Sequence, residues 1–590
     1  MVIVLLLLLS IPAISALLPP GYFYTHDGAF HLVRLSHFYN EIARGQFPVR
    51  VGTEMAFGYG YPIFNYFYPL LYYLGSFFHF LGLSLGESLK IIIALATLGS
   101  VLAFYKWLRC HFDKWPSFLG ALFYLYTPYR FVATYVSGNF GTVLDFLFLP
   151  LVLLSVFGMV IKKKNFYFLS FSLSLALLIL SHNISALIFL PFIIFYIFFL
   201  MYQNRSGKKT MAKLIFAVIL TIGLSSFFLI PAIFELHYVQ LSTRIAENFR
   251  DHFVTLRQLI YSKWGYGYSI VGENDGISFQ IGIAQWIVIA LTFVIFLVKK
   301  ILLKAGDSRE GLPNEASLGI TGSLISKKTA LEAKFGKPER QDPQIKRNDD
   351  YLTILIFFIF LAAVFLMLPQ SEIIWSNIKI MQQIQFPWRL LALVMVCTSF
   401  LTVWLVTKLK SFWIIIILSI ILIRGNINNL RPMDTTRYPD SYYLENIGLY
   451  FGSTDTSWEN LPMGVTKAPK KFLAAKFIAE DPTAKITEIA QSASEKLRLN
   501  IQSEKPLTLT LNTFYFPMWQ VTIDGKEAII SPNPQGLIEL QVPQGNHQVS
   551  LRLKNTPLER IADMISVVSI FSTIGLFACM CYNTRLCQKS

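Results

Sequence analysis

An acid, an imidazole and a cation stand at helical spacing directly after the first apolar segment of the chain. The stretch Tyr24-Thr25-His26-Asp27-Gly28-Ala29-Phe30-His31-Leu32-Val33-Arg34 follows an apolar run at 1–18. A helix beginning at Asp27 puts Asp27, His31 and Arg34 at i, i+4 and i+7, on one face. A carboxylate can orient or accept a proton and a guanidinium can hold an anion, so the set suits a charged substrate where a membrane helix meets water. The competing role for Asp27 is structural, because Asp is a favoured N-cap and a helix starts just beyond it.

The elements that must position this set are membrane helices. The 590 residues are 54% hydrophobic and include 51 Phe, with a mean hydropathy of +0.51, more apolar surface than a soluble fold buries. Apolar runs at 1–18, 88–108, 117–136, 142–161, 165–181, 183–202, 212–234, 281–301, 351–369, 389–407, 411–424 and 561–582 approach the ~20 residues that a spanning helix needs. A further run at 61–82, rich in Tyr, Phe and Pro, suits an interfacial or re-entrant helix as well as a span. The expectation is an all-α polytopic membrane domain over 1–424 with about 12–13 spans. Residues 1–18 also resemble a signal peptide with a small-residue site at Ala13-Ile14-Ser15-Ala16, but lack its basic start.

Basic residues choose the side of each loop, because short loops rich in Lys and Arg stay cytoplasmic. Lys162-Lys163-Lys164, the 205–209 loop, the 299–347 stretch, Lys408 and Lys410 mark the inside. The first loop, 19–87, then falls outside, provided that 61–82 does not cross. These inner loops account for part of the net charge of +16, so no nucleic-acid partner is implied. The five cysteines lie in spans or at inner ends and form neither a disulfide framework nor a metal-spaced set.

Two stretches depart from membrane composition. Residues 302–350 are polar, charged and aperiodic, as expected of a cytoplasmic loop. Residues 425–560 contain alternating runs at 497–501, 507–511, 519–523, 537–542 and 549–553, with Asp524-Gly525 as a hairpin turn. They predict a small external β-rich domain, a sandwich, tethered by a final transmembrane helix at 561–582.

The same topology places five polar segments on the outer face. They are the Asp27 loop, the loop from Tyr129-Arg130 to Asn139, Ser181-His182-Asn183, the 235–280 loop and Gln385-Phe386-Pro387-Trp388-Arg389. Glu235 follows Pro231 at the outer end of a span, and the aromatic loop 264–275 carries Glu273 and Asp275, a composition that suits a sugar-binding rim. His182-Asn183 can equally satisfy backbone groups at a helix hairpin, and Arg34 and Arg389 can snorkel to lipid headgroups.

Several of these motifs, taken together, resemble a known group. His26-Asp27-Gly28-x-x-His31-Leu32-x-Arg34, Gly58-Tyr59-Gly60-Tyr61-Pro62, Leu180-Ser181-His182-Asn183, Pro231-Ala232-x-x-Glu235, Asp251-His252-Phe253, the 385–389 motif and Pro517-Met518-Trp519-x-Val521-x-x-Asp524-Gly525-Lys526 look like bacterial membrane proteins called 6-pyruvoyl-tetrahydropterin synthase-related. They are similar also to YfhO-like proteins and, more distantly, to the GT-C superfamily of membrane glycosyltransferases. The resemblance covers nearly the whole chain except 302–350 and implies no pterin chemistry, since no His cluster for a zinc synthase is present. It implies a GT-C-like fold in the bacterial cytoplasmic membrane with a cytoplasmic N-terminus. It also implies a polyprenyl-phosphate-linked sugar as donor, an envelope polysaccharide, lipid or protein as acceptor, and Asp27 as the catalytic base.

That chemistry needs a carboxylate near the acceptor hydroxyl and cations on the phosphate leaving group. Arg34, Arg130 and Arg389 are the candidate phosphate ligands, and His26, His31, His182, Asn183, Glu235, Glu273 and Asp275 complete the candidate substrate-binding set. No cofactor or metal is indicated. One departure from the resembling proteins stands out: where they commonly read Tyr-Val-Arg-Gly and then a glutamate, this chain reads Tyr135-Val136-Ser137-Gly138-Asn139, with Asp145 further on. The alternatives are a transporter or assembly factor for lipid-linked envelope glycans, whose repeated halves are not seen, and a degenerate scaffold whose β domain does the binding.

Overall fold

In the computed structural model, residues 1–241, 249–307, 349–434, 436–454, 458–472, 475–489 and 495–587 are described. Most of the expected loop 302–350 lies outside them. The main helices are α1 (Val2–Ile14), α2 (Gly28–Ala43), α3 (Leu70–Phe80), α4 (Leu85–Leu108), α5 (Lys114–Leu125), α6 (Phe140–Val160) and α7 (Phe166–Ser181). They continue with α8 (Asn183–Gln203), α9 (Lys208–Phe234), α10 (Ile283–Asp307), α11 (Asp349–Met367), α12 (Leu391–Leu409), α13 (Phe412–Asn426) and α14 (Pro557–Cys587).

Among the described residues, eight helices are long and apolar enough to cross a membrane, and the helical stretches Val2–Leu17, Phe166–Ser181 and Ile283–Lys299 are shorter and apolar. Apolar runs become helices because a helix satisfies every backbone polar group internally where water is absent. The span containing α12 is 94% buried and forms the centre of the bundle, against α5 and α11, whereas that of α14 is 11% buried and rests on α9 at the rim.

Two runs differ from the simple reading. The 117–136 run is not one span. Pro128 lacks an N–H and pushes Thr127 to extended backbone (φ −72°, ψ 134°), so α5 stops at Leu125 and the chain restarts as a short helix, Pro128–Phe131, and a π turn, Val132–Val136. In the 61–82 run α3 has 11 residues, about half the length that a ~30 Å hydrocarbon core requires.

Among the described residues, nine strands follow at 477–553. Sheet order is β1-β4-β8-β7 and β2-β3-β9-β5-β6, with β1 Phe477–Ala479, β2 Lys485–Glu488, β3 Glu495–Ser503, β4 Leu507–Phe514, β5 Trp519–Ile523, β6 Lys526–Glu527, β7 Ser531–Pro532, β8 Leu537–Val542 and β9 Gly545–Leu553. All pairings are antiparallel. Alternate residues, among them Leu499, Leu509, Val521, Leu540 and Leu551, bury one shared apolar core, as in a sandwich. Asp524 and Gly525 both take positive φ (51° and 79°) and turn β5 into β6.

Among the described residues, 427–465, part of the expected β region, carry no strand longer than a bridge and strap the bundle instead. Tyr438 bridges Tyr22, Asp440 Oδ2 accepts from Leu85 N (2.7 Å) at the start of α4, and Asn460 N donates to Tyr61 Oη (2.9 Å).

Candidate active site

Asp27 sits at the N-cap position of α2, yet its side chain accepts no capping hydrogen bond. Thr25 caps instead, its Oγ1 accepting from Gly28 N at 3.0 Å, while Asp27 O closes the first helical turn with His31 N (2.9 Å). The carboxylate is therefore not engaged in the structural role that its position suggests. Burial raises its pKa, opposed by the guanidinium of Arg34, by His26 and by the guanidinium of Arg389, in that order.

The backbone beneath Asp27 is pinned from across the bundle: His26 N donates to Val136 O (3.0 Å) and Asp27 N to Ser137 O (2.9 Å). Ser137 therefore lies directly against the acid. The contact needs a glycine next door. Gly138 has φ +71°, and a Cβ there would lie 2.2 Å from Thr25 Oγ1 and 3.2 Å from Gly28 N. Gly138→Ala should lower stability by about 1–3 kcal/mol, read as a fall in the thermal unfolding midpoint of the detergent-solubilised protein. Gly82→Ala is the control: its φ is +97° with nothing within 4 Å of the added carbon, so it carries the conformational cost without the clash.

Arg34 lies in α2 with its guanidinium buried. Its Nε donates to Thr454 Oγ1 (3.0 Å), Nη2 donates to Thr454 O, and the cation covers the Phe67 ring at 4.1 Å. Arg389 is set by the chain around it. Gln385 adopts a left-handed turn (φ 64°), Phe386 is extended before Pro387, and Pro387 opens a short 3-10 helix leading into α12. Its Nη1 donates to Ile384 O (2.7 Å) and Gln385 Oε1 (3.0 Å). Among the described residues none accepts from Nε or Nη2, which leaves a donor edge for an anion.

Each imidazole is held by its own neighbours. His26 Nε2 lies 2.9 Å from Tyr266 O and its ring stacks on Tyr268 at 4.1 Å, so the aromatic loop folds over the site. His31 Nδ1 meets Tyr72 Oη at 2.9 Å, and burial, with Arg34, holds its pKa well below the usual imidazole range. His31 is therefore neutral at physiological pH. His182 caps α8, with Nδ1 accepting from Ser185 N (3.0 Å), and its ring meets Tyr68 edge-on at 4.9 Å.

Five sequence candidates are placed elsewhere. Arg130 is buried in the bundle, where Nε donates to Tyr124 O (3.1 Å), Nη1 donates to Ser100 Oγ (3.1 Å) and the cation stacks on Tyr124 and Phe146. Glu235 accepts from Asn65 Nδ2 (3.0 Å) and Thr556 Oγ1 (2.8 Å) at the foot of α14. Asp275 holds its own loop, accepting from Gln258 Nε2 (2.8 Å) and Ile270 N (2.9 Å). Asn183 is exposed, and its Oδ1 accepts from the adjacent Ile184 N. Glu273 is exposed at the loop tip. Thr454, Tyr72 and Tyr266, which the sequence reading did not single out, contact the site residues through the hydrogen bonds above. Thr454 is 420 residues from Arg34, a separation across which local patterns give no signal.

An acid in the field of two guanidiniums can accept a hydroxyl proton while an anion is held. Among the described residues, no group of three or more His, Cys, Asp or Glu side chains is placed to hold a metal ion.

Comparison with known proteins gives three findings. A model of the 6-pyruvoyl-tetrahydropterin synthase related domain, described as a membrane protein, matches residues 64–430. No curated protein matches the chain. Among solved structures, the chain is similar to the archaeal oligosaccharyltransferase AglB from Archaeoglobus fulgidus in complex with an inhibitory peptide and a dolichol-phosphate, at 14% identity and a TM-score of 0.36, covering 78% of this chain and 56% of that one. It is similar also to the apo oligosaccharyltransferase of Archaeoglobus fulgidus, at 13% identity and a TM-score of 0.33, covering 73% of this chain and 55% of that one. The chain thus spans little more than half the length of these structures.

Proposed function

The chain belongs to the 6-pyruvoyl-tetrahydropterin synthase related family of membrane proteins, and from that premise we propose that it transfers a sugar from a polyprenyl-phosphate donor to a cell-envelope acceptor, with Asp27 as general base. The observation that carries this reading is the state of Asp27: a partly buried carboxylate at an N-cap position, making no capping bond and lying in the field of Arg34, His26 and Arg389. An acid with a purely structural role would cap the helix, and Thr25 does that instead.

In the proposed reaction an acceptor hydroxyl oxygen attacks the anomeric carbon and its proton passes to the Asp27 carboxylate. The bond from that carbon to the phosphate oxygen breaks, and its electron pair leaves with the polyprenyl phosphate. Arg389, through its open donor edge, stabilises the phosphate charge as it develops, and Arg34 adds its field. A single displacement with one carboxylate inverts the anomeric centre. With Ser137 where the resembling proteins carry an arginine, Arg34 and Arg389 supply the positive charge nearest the acid.

The bias of Lys and Arg toward the other loops supports a cytoplasmic N-terminus and an external site and β domain in a bacterial inner membrane. The test is transfer of radiolabelled sugar from a panel of polyprenyl-phosphate donors, in membranes carrying the wild-type chain or Asp27→Asn at matched expression. Transfer by the wild type that disappears in the variant supports the reading. Transfer untouched by the substitution removes Asp27 from the mechanism, and no transfer with any donor favours a carrier or assembly role.

A further inference from the structure

Between the first loop and the β domain lies a cavity of about 750 Å³, in the size range of small-ligand sites. Phe57, Tyr59 and Phe472 are among its aromatic lining, and Glu54, Asn512 and Thr513 offer acceptors for hydroxyl groups. Phe472 is 45% exposed and meets Phe57 edge-on at 5.7 Å, so an aromatic face remains open. Aromatic rings beside hydroxyl acceptors suit a saccharide, whose ring presents C–H faces to the one and hydroxyls to the other.

Among the described residues, the charges around the cavity are matched, with one exception. Arg44 pairs with Glu54 and, at 3.5 Å, with Glu41. Glu41 also accepts from Thr53 N (2.8 Å) and Gln46 Nε2 (3.1 Å). Lys476 pairs with Glu488 and Glu495 with Arg498, each at 2.6 Å. Lys496 is the exception. Its Nζ is shielded from solvent, without a hydrogen-bond partner among the described residues, 5.0 Å from the centroid of Trp519. Asn512 Oδ1, on the same lining, is likewise buried without a partner among the described residues. A buried ammonium without an acceptor is costly, and a bound anion removes that cost.

We infer that this cavity binds an anionic saccharide, whose carboxylate or phosphate group pairs with Lys496 while its ring lies against the open aromatic wall. The site is separate from Asp27 and does not depend on the transfer reaction. Burial lowers the Lys496 pKa to about 7, with Glu41 and Glu54 opposing that shift and Arg44 and Lys476 reinforcing it. Below that pH the ammonium is charged and anion affinity is high, and affinity falls as pH rises through 7.

The experiment uses the full-length protein in detergent, with tryptophan fluorescence as the readout. The probes are a glucuronate-containing tetrasaccharide with its carboxyl-reduced form, and phosphopentamannose with pentamannose. At pH 6 at least one anionic probe should bind about 10-fold or more tighter than its neutral partner, and which one does so identifies the anion as carboxylate or phosphate. Affinity should weaken about 10-fold by pH 8. Lys496→Met should remove both the preference and the pH dependence, without lowering the unfolding midpoint, because it replaces an unpaired buried charge by an apolar chain. Phe472→Ala, at an exposed ring, should weaken both members of a probe pair several-fold. Equal binding of charged and neutral probes, anionic binding unaltered in Lys496→Met, stronger competition by a short-chain anionic phospholipid, or no binding of any probe would each overturn the inference.

Discussion

Asp27→Asn is expected to cut glycosyl transfer by about 100- to 10,000-fold, the contribution typical of a positioned general base. Asn is nearly isosteric, keeps the backbone bonds to Ser137 O and His31 N and cannot take a proton, so folding should be unchanged and the loss should lie in kcat. The pH profile gives a second, independent readout. Burial raises the Asp27 pKa against the pull of Arg34, His26 and Arg389, and a base works in its deprotonated form. Wild-type transfer should therefore rise with pH through a midpoint above the ordinary carboxylate value, and the residual activity of Asp27→Asn should lose that limb. A loss of only a few-fold, or a variant that keeps the wild-type limb, would assign the titration and the catalysis to another group. Arg389→Lys sharpens the test: it keeps the charge but loses the planar fork, and should raise KM for the lipid phosphate while leaving the acidic limb in place.

Much of the architecture follows from local patterns. Long apolar runs become helices wherever they lie in lipid, and the Asp524-Gly525 turn is legible because two successive left-handed residues favour that pair. The break at Thr127-Pro128 is local too, and Pro128 was its signal; hydropathy averaged over the 117–136 window masks it. The site is legible only in part. The fields of Arg34 and Arg389 both reach the Asp27 carboxyl. Arg130 and Glu235 carry the same chemistry and similar positions beside apolar runs, yet their partners are Ser100 and Tyr124 for the one and Asn65 and Thr556 for the other. Spacing cannot separate these cases, because the residues that engage them lie up to 321 positions away. The strap at 427–465 is hidden for the same reason: its role rests on contacts such as Tyr438 with Tyr22 and Asn460 with Tyr61.

Arg50→Met should destabilise the fold by about 3–5 kcal/mol, the usual consequence of stranding buried charges. Arg50 is 2% exposed, and it joins three parts of the chain. Its Nη1 donates to Asn65 Oδ1 (3.0 Å) and Phe227 O (2.9 Å), Nη2 donates to Asp563 Oδ1 (2.7 Å), and Nε lies 3.7 Å from Glu559 Oε1. Around this cation the start of α14 is assembled. Thr556 and Glu559 bond reciprocally (2.7 and 3.1 Å), and Thr556 Oγ1 also donates to Glu235. Remove the guanidinium, and Glu559 and Asp563 lose their only ion-pair partner among the described residues, with Glu235 nearby. The expected result is a lower unfolding midpoint in detergent, with faster proteolysis between β9 and α14 than at other sites. Because the cost is stranded charge rather than lost volume, the triple variant Arg50→Met, Glu559→Gln, Asp563→Asn should recover much of the loss. If the triple variant is no more stable than Arg50→Met alone, the arginine acts by packing, and the coupling between the first loop and α14 is steric rather than electrostatic.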